Sequence, residues 1–255
     1  MDDLHAIIIN ILSSILWLPL GALLAYVVFY FQVRHPRRRL WHLHDPANLV
    51  ICAANSTTTD TGVYQRPATG IGQVRAIALA IESLSHAYRK NLAIRNILLS
   101  TDHVQERIEN DLLIVGGPKN NRVAEKFLDV IADEQPALQR GTVITWRKTR
   151  LAGRWTNDAS ATAYDGQAVE QQVVKDYGLI IRCQNPFTSR ERTAILFSGS
   201  HTYGTVAAAK YFTDDAQRQI GKLLRNGNKN FALLVSAQII DGYPTKMRLE
   251  HSYTW

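Results

Sequence analysis

Hydrophobic and polar positions divide the chain into two unlike parts. From Leu4 to Val33 no residue carries a charge unless His5 is protonated. After Asp45 the apolar residues come in short runs separated by polar turns and amphipathic stretches. "NLVICAA", "IRNILLS", "DLLIVGG", "YGLIIRCQ", "RTAILFSGS" and "NFALLVSAQIIDGYP" read as strands, the first apolar on both faces like a central strand of a covered sheet. "VRAIALAIESLSHAYRK" and "NRVAEKFLDVIADE" repeat with helical spacing, "TYGTVAAAKYF" opens a further helix, and "AQRQIGKLLRN" continues or follows it. "GTVITWRK" is a further expected strand, "TKMRLEHSYTW" an edge strand, and "NSTTTDTGVYQRPATGIGQ" a long polar loop. Strands alternating with helices predict an α/β fold: an N-terminal transmembrane helix followed by a three-layer, mostly parallel Rossmann-like sheet domain. The expected divisions are residues 1–33 as a single transmembrane anchor, 34–46 as a basic juxtamembrane linker, and 47–255 as a cytoplasmic α/β nucleotide-binding domain.

Thirty helical residues span about 45 Å, enough to cross a hydrocarbon layer of about 30 Å with tilt. A cleaved secretory signal places positive charge before the apolar run and small residues after it. Here Asp2 and Asp3 precede the run, while Tyr26, Phe29, Tyr30 and Phe31 close it, the pattern of an aromatic belt. Arg34, Arg37, Arg38 and Arg39 follow directly, so the positive-inside rule assigns the body to the cytoplasmic face of the inner membrane. Asn10, Ser14, Trp17, Gly21 and Ala25 share one helical stripe, which suits close helix association in lipid and hence a homo-oligomer. Trp41 is expected at the membrane interface beside His42 and His44.

Charge changes the picture modestly. The chain of 255 residues carries a net +7, and setting aside Asp2, Asp3 and the four arginines leaves 25 basic against 20 acidic residues. That balance suits an anionic ligand or an anionic lipid surface but lacks the basic stripe that duplex nucleic acid requires. Cys52 and Cys183 lie in or at the end of apolar runs without metal spacing, and read as buried small hydrophobes of a reducing compartment.

Three polar turns, each ahead of a helix, share one piece of chemistry. In a parallel α/β sheet ligands collect beyond the carboxyl ends of strands, where helix N-termini favour anions. The first turn supplies Thr69, Gly70 and Gly72; the second Gly116, Gly117, Lys119 and Asn120; the third Gly199, Thr202, Gly204 and Thr205. None matches a P-loop or a dinucleotide fingerprint, but together they predict a shared pocket for a phosphate-bearing or nucleoside-like small molecule. If the protein cleaves such a ligand, Asp60 and His201 are the candidate catalytic residues, with Asp102 and Glu125 as further carboxylates. No residue set calls for a metal or a resident cofactor. A scaffold whose glycine turns are purely structural is the third reading.

"GGPKNN" and "SGSHTYGT" look like the glycine turns of the SLOG group, and the whole layout resembles bacterial immunity effectors of the CARF and SLOG groups. These join a membrane segment to a Rossmann-like nucleotide sensor. The resemblance implies nucleotide second-messenger binding in the cytoplasm and a response at the membrane, often in oligomers. It also implies that Gly116, Gly117, Lys119, Asn120, Gly199, Thr202, Gly204 and Thr205 contact the ligand.

Overall fold

The computed structural model of the protein describes residues 2–88, 94–101, 104–134, 145–146, 155–157, 162–164, 166–215, 219–221 and 229–255. Helix α1 (Asp2–Phe29) passes through one π turn (Tyr30–Arg34) into α2 (His35–Trp41) without leaving helical geometry. The helix stops where His42 adopts the left-handed conformation and donates its N–H to Arg38 O. The helix Trp17–Trp41 is 25 residues long and contains an 18-residue window of mean hydropathy 1.3, so by length and composition it is long and apolar enough to cross a membrane. Trp17 is 67% exposed and an added methyl at Gly21 would meet no protein atom, so this part of the stripe is uncovered within one chain.

The basic segment after the apolar run is not an extended tether. Arg34 Nε and Arg38 Nε both donate to Ala87 O, at 3.1 and 2.8 Å. Leu40 and Trp41 are buried, and Trp41 packs edge-on to Phe212 at 4.9 Å between ring centres while its indole N–H donates to Ser83 Oγ at 3.0 Å. Trp41 therefore belongs to the body's core rather than the membrane interface, because an indole with a hydrogen-bonding partner loses nothing by leaving water. Arg182, itself buried, donates to Arg39 O and Leu40 O, the last carbonyls of α2, where a cation offsets the negative end of the helix.

The body follows as β1 (Val50–Ala53), the hairpin β2 (Thr57–Asp60) and β3 (Gln65–Ala68), α3 (Ile71–Tyr88), β4 (Ile97–Leu99), β5 (Leu112–Val115) and α4 (Arg122–Glu134). Short strands β6 (Thr145–Trp146), β7 (Trp155–Asn157) and β8 (Thr162–Tyr164) pair in a small sheet of their own. Then come β9 (Gln167–Val169), β10 (Gln172–Gln184), β11 (Thr193–Gly199), α5 (Thr202–Lys210), β12 (Phe231–Ile240) and β13 (Tyr243–Thr254). Of "GTVITWRK" only Thr145–Trp146 falls within the described residues, and most of "AQRQIGKLLRN" falls outside them.

The central sheet runs β13-β12-β10-β11-β5-β1-β4, with β9 paired to β10. Strands β4, β1, β5 and β11 are parallel; β10, β12 and β13 join antiparallel. The expected mostly parallel sheet is thus mixed. Burial explains the difference: β10 and β12 are covered on both faces like their parallel neighbours, so their apolar runs carry no mark of direction. The β12–β13 connection is Asp241-Gly242, both at positive φ (51° and 69°), the two-residue turn that fits the twist of an antiparallel pair. The expected polar loop after β1 contains the β2–β3 hairpin, exposed along nearly its whole length.

Alternate residues of the strands feed two cores. Ile51, Leu113, Val115, Ile195, Phe197 and Leu233 face α2, α3 and α5; Val50, Cys52, Leu112, Ile114, Leu196 and Leu234 face α4. Helices therefore pack on both sides of the sheet, and the parallel half directs its carboxyl ends to one edge of the body.

Candidate functional site

The three glycine-rich turns meet at the carboxyl ends of β1, β5 and β11. Backbone bonds that continue past the strands tie them together: Asn55 N–H to Asn120 O at 2.9 Å, and Gly116 N–H to Phe197 O at 2.8 Å. Gly116 sits at φ 107°, and a Cβ there would lie 2.6 Å from Ala54 Cβ, so only glycine closes this turn against β1. At Gly72 a Cβ would lie 2.1 Å from Thr202 Oγ1, which sets how closely the starts of α3 and α5 approach.

Between the turns lies a cleft of about 560 Å³, within the range of about 300–1,000 Å³ usual for small-molecule sites. Ser56, Gly70, Ile71 and Gln73 line it from the first turn, Gly117, Pro118, Lys119 and Asn120 from the second, and Gly199 to Tyr203 with Thr205 from the third. The structure thus brings Gly70, Gly117, Lys119, Asn120, Gly199, His201, Thr202 and Thr205 to one space. Gly72, Gly116 and Gly204 stand behind its walls as packing glycines, the last against Tyr177 O, and Thr69 lies directly before the lining Gly70. Asp60 is not part of the cleft. It sits in the exposed hairpin, where its carboxylate accepts the Gly62 N–H at 2.8 Å. Glu125 lies in the first turn of α4 and does not line the cleft, and Asp102 falls outside the described residues.

Unmet hydrogen-bonding capacity gathers here. Among the described residues five buried side-chain polar atoms have no partner, and four of them, Thr69 Oγ1, Gln73 Oε1, Ser198 Oγ and Thr202 Oγ1, surround this cleft. Gln73 and Thr202 line it directly, and Ser198 Oγ lies under Gly117. Each such atom costs about 1–3 kcal/mol when left unsatisfied, so a polar guest has several waiting partners.

The three helix starts are not equivalent. Asn121, buried, caps α4 by accepting from the N–H groups of Val123 and Ala124 at 3.0 and 3.1 Å, while its amide donates to Cys52 O and Val115 O. At α5 the cap comes from a distant strand. Asp176 of β10, fully buried, accepts the N–H groups of Tyr177, His201 and Gly204. Its Oδ1 also lies 3.4 Å from His201 Nδ1, so a buried carboxylate orients a half-exposed imidazole at the cleft wall. No side chain is seen to cap the first turn of α3 among the described residues, which leaves its start, lining the same cleft as Lys119, as a place where the dipole and a cation can both favour an anion.

Asp176 is the residue sequence reasoning missed. Its signal was an acid, in "KDYG", leading directly into the apolar run of β10. A carboxylate at the mouth of a buried strand needs donors, and the free N–H groups of a helix start can supply them. No family model matches this chain and no curated protein does, so the functional reading rests on the chemistry of the cleft.

Proposed function

We propose that the protein is a membrane-anchored cytoplasmic sensor of a nucleotide or nucleotide-derived messenger, one that signals to the inner membrane through a change in self-association. The setting we infer is the antiphage defence served by the effectors it resembles. The observation that carries the reading is the meeting of three polar turns around one cleft rimmed by unpartnered hydroxyl and amide groups. The phosphate end of the ligand belongs at the start of α3 with Lys119, since Asp176 already neutralises the start of α5 and Asn121 caps α4. The nucleoside end then faces Thr202, Tyr203 and Thr205.

A route to the membrane follows from the two ends of α3. Its first turn lines the cleft, and its last carries Ala87, whose carbonyl holds Arg34 and Arg38 of the anchor's continuation. Eighteen residues make a rod of about 27 Å, so binding at one end bears on the anchor at the other through a single rigid element. The test uses the full chain in an uncharged detergent, titrated with a panel of mono-, di- and cyclic nucleotides. At least one is expected to raise Tm and change the sedimentation coefficient, and Lys119→Ala should weaken its binding about tenfold, the loss of one charge-assisted contact. No response to any nucleotide in either readout would overturn the proposal.

The His201–Asp176 pair favours a second reading, a hydrolase acting on the N-glycosidic bond of a nucleotide or NAD, with His201 as acid or base. Chromatography separates the two. Release of free base, abolished by His201→Ala with binding retained, supports the hydrolase; binding without products supports the sensor.

A further inference from the structure

A second hollow lies at the opposite end of the parallel strands, at the root of the anchor. Its volume is about 120 Å³ against about 560 Å³ for the cleft, a space that suits a small oxyanion better than a whole nucleotide. Its inner wall is Arg182, 2% exposed. Four of the five guanidinium N–H groups are spent on carbonyls: Nε and Nη2 on Lys229 O, and Nη1 on both Arg39 O and Leu40 O. No acidic side chain pairs with this buried cation among the described residues. Around it stand Arg192, Lys229, His42 and His44. Among the described residues the only acid lining it is Glu191, a highly exposed rim residue with Oε2 4.0 Å from His44 Nδ1. Of the acids outside the lining, Asp111 is already engaged by the N–H groups of Thr193 and Asp45, Asp45 accepts from the Asn48 amide while acting on Arg192, and Glu134 acts on Cys183.

We propose that this hollow is a second ligand site, built for a phosphate-type oxyanion. An unpaired buried charge is costly, and an anion seated against Arg182 with Lys229 and Arg192 over it would compensate that charge. The bound anion would also brace the anchor, because Arg182 holds the carbonyls that end α2. Burial, then the charges of Arg182, His44 and Lys229, keep His42 below its ordinary pKa, and an anion would oppose those charges, so binding tightens as pH falls. The groups facing His42 are Arg182 from β10, Lys229 before β12, Arg192 and Glu191 before β11, and His44. The proposal is independent of what occupies the cleft.

The source of the oxyanion is either free phosphate or the phosphodiester of an anionic lipid, and the experiment has an arm for each. The full chain in uncharged detergent is titrated with inorganic phosphate by calorimetry. In parallel it is reconstituted in phosphatidylcholine bilayers with and without phosphatidylglycerol, and its thermal stability is measured. Arg182→Gln removes a structural contact as well, so the test rests on the rim variants Lys229→Gln and Arg192→Gln, made in a Lys119→Ala background so that phosphate held in the cleft does not contribute, with Arg66→Gln of the exposed hairpin as the charge control. Saturable phosphate binding weakened about tenfold by either rim variant supports a free oxyanion. Stabilisation by phosphatidylglycerol alone, lost in the same variants, supports the lipid. Response to neither, or a response that the rim variants leave unchanged, overturns the site.

Discussion

Replacing Trp41 by alanine tests whether α2, the continuation of the apolar helix, is part of the folded body. The indole is fully buried, stacked edge-on to Phe212 and Phe197 at 4.9 and 6.3 Å, and hydrogen-bonded to Ser83 Oγ at 3.0 Å. Truncation of a buried Trp costs about 3–5 kcal/mol through lost transfer energy and the cavity left behind. For a body of this size each kcal/mol moves Tm by about 2–4 °C, so Trp41→Ala should lower it by about 6–20 °C. Trp41→Phe keeps most of the ring packing but orphans Ser83, and should cost about 1–3 kcal/mol. The assay is thermal unfolding of the full chain in detergent, followed by tryptophan-independent far-ultraviolet circular dichroism. An interfacial Trp41 would behave otherwise: a Tm within about 2 °C of wild type, below even 1 kcal/mol, would refute its place in the core.

Three further outcomes follow. Gly116→Ala forces a Cβ into the left-handed region and to 2.6 Å from Ala54 Cβ, so it should cost about 1–3 kcal/mol in chemical denaturation and weaken ligand binding; unchanged stability would contradict the turn's geometry. Asp176→Asn keeps one acceptor oxygen but removes the charge and sets an amide NH2 group against the donors that the other oxygen served, and should cost about 1.5–3 kcal/mol, with the His201 ring signals broadening in NMR spectra; sharp, unshifted signals would sever the pair. Because His42 is held below its ordinary value of 6.5 by burial, the unfolded chain takes up a proton first as pH falls. Its penalty is absent well above pH 6.5, grows as pH falls from there through the folded value, and should vanish from the stability profile of His42→Gln.

Most elements were legible because their periodicity is local. The helix Ile71–Tyr88 and the strands Val50–Ala53, Leu112–Val115 and Thr193–Gly199 fall on the segments whose apolar spacing announced them. Strand direction was not legible, since Leu179–Ile181 and Leu233–Val235 are buried on both faces whichever way they run. The one local clue, Asp241-Gly242, marks a two-residue hairpin turn inside a stretch read as continuous strand. Juxtapositions across the chain were also hidden. Asp176 reaches a helix start 28 residues later, and Arg182 reaches carbonyls more than 140 residues earlier. Neither pairing leaves a spacing in the sequence, whereas the glycine turns do, because each is a short-range requirement for a tight bend before a helix.

The unbroken helix from the apolar run to Trp41 has a mechanical consequence. On a slack tether the apolar helix could swivel freely against the body, but here Arg34, Arg38 and Trp41 key the shaft into the body at three points. Any two copies that meet through their shafts must then face each other at a fixed azimuth, so contacts between the apolar runs would dictate which flanks of the two bodies confront one another.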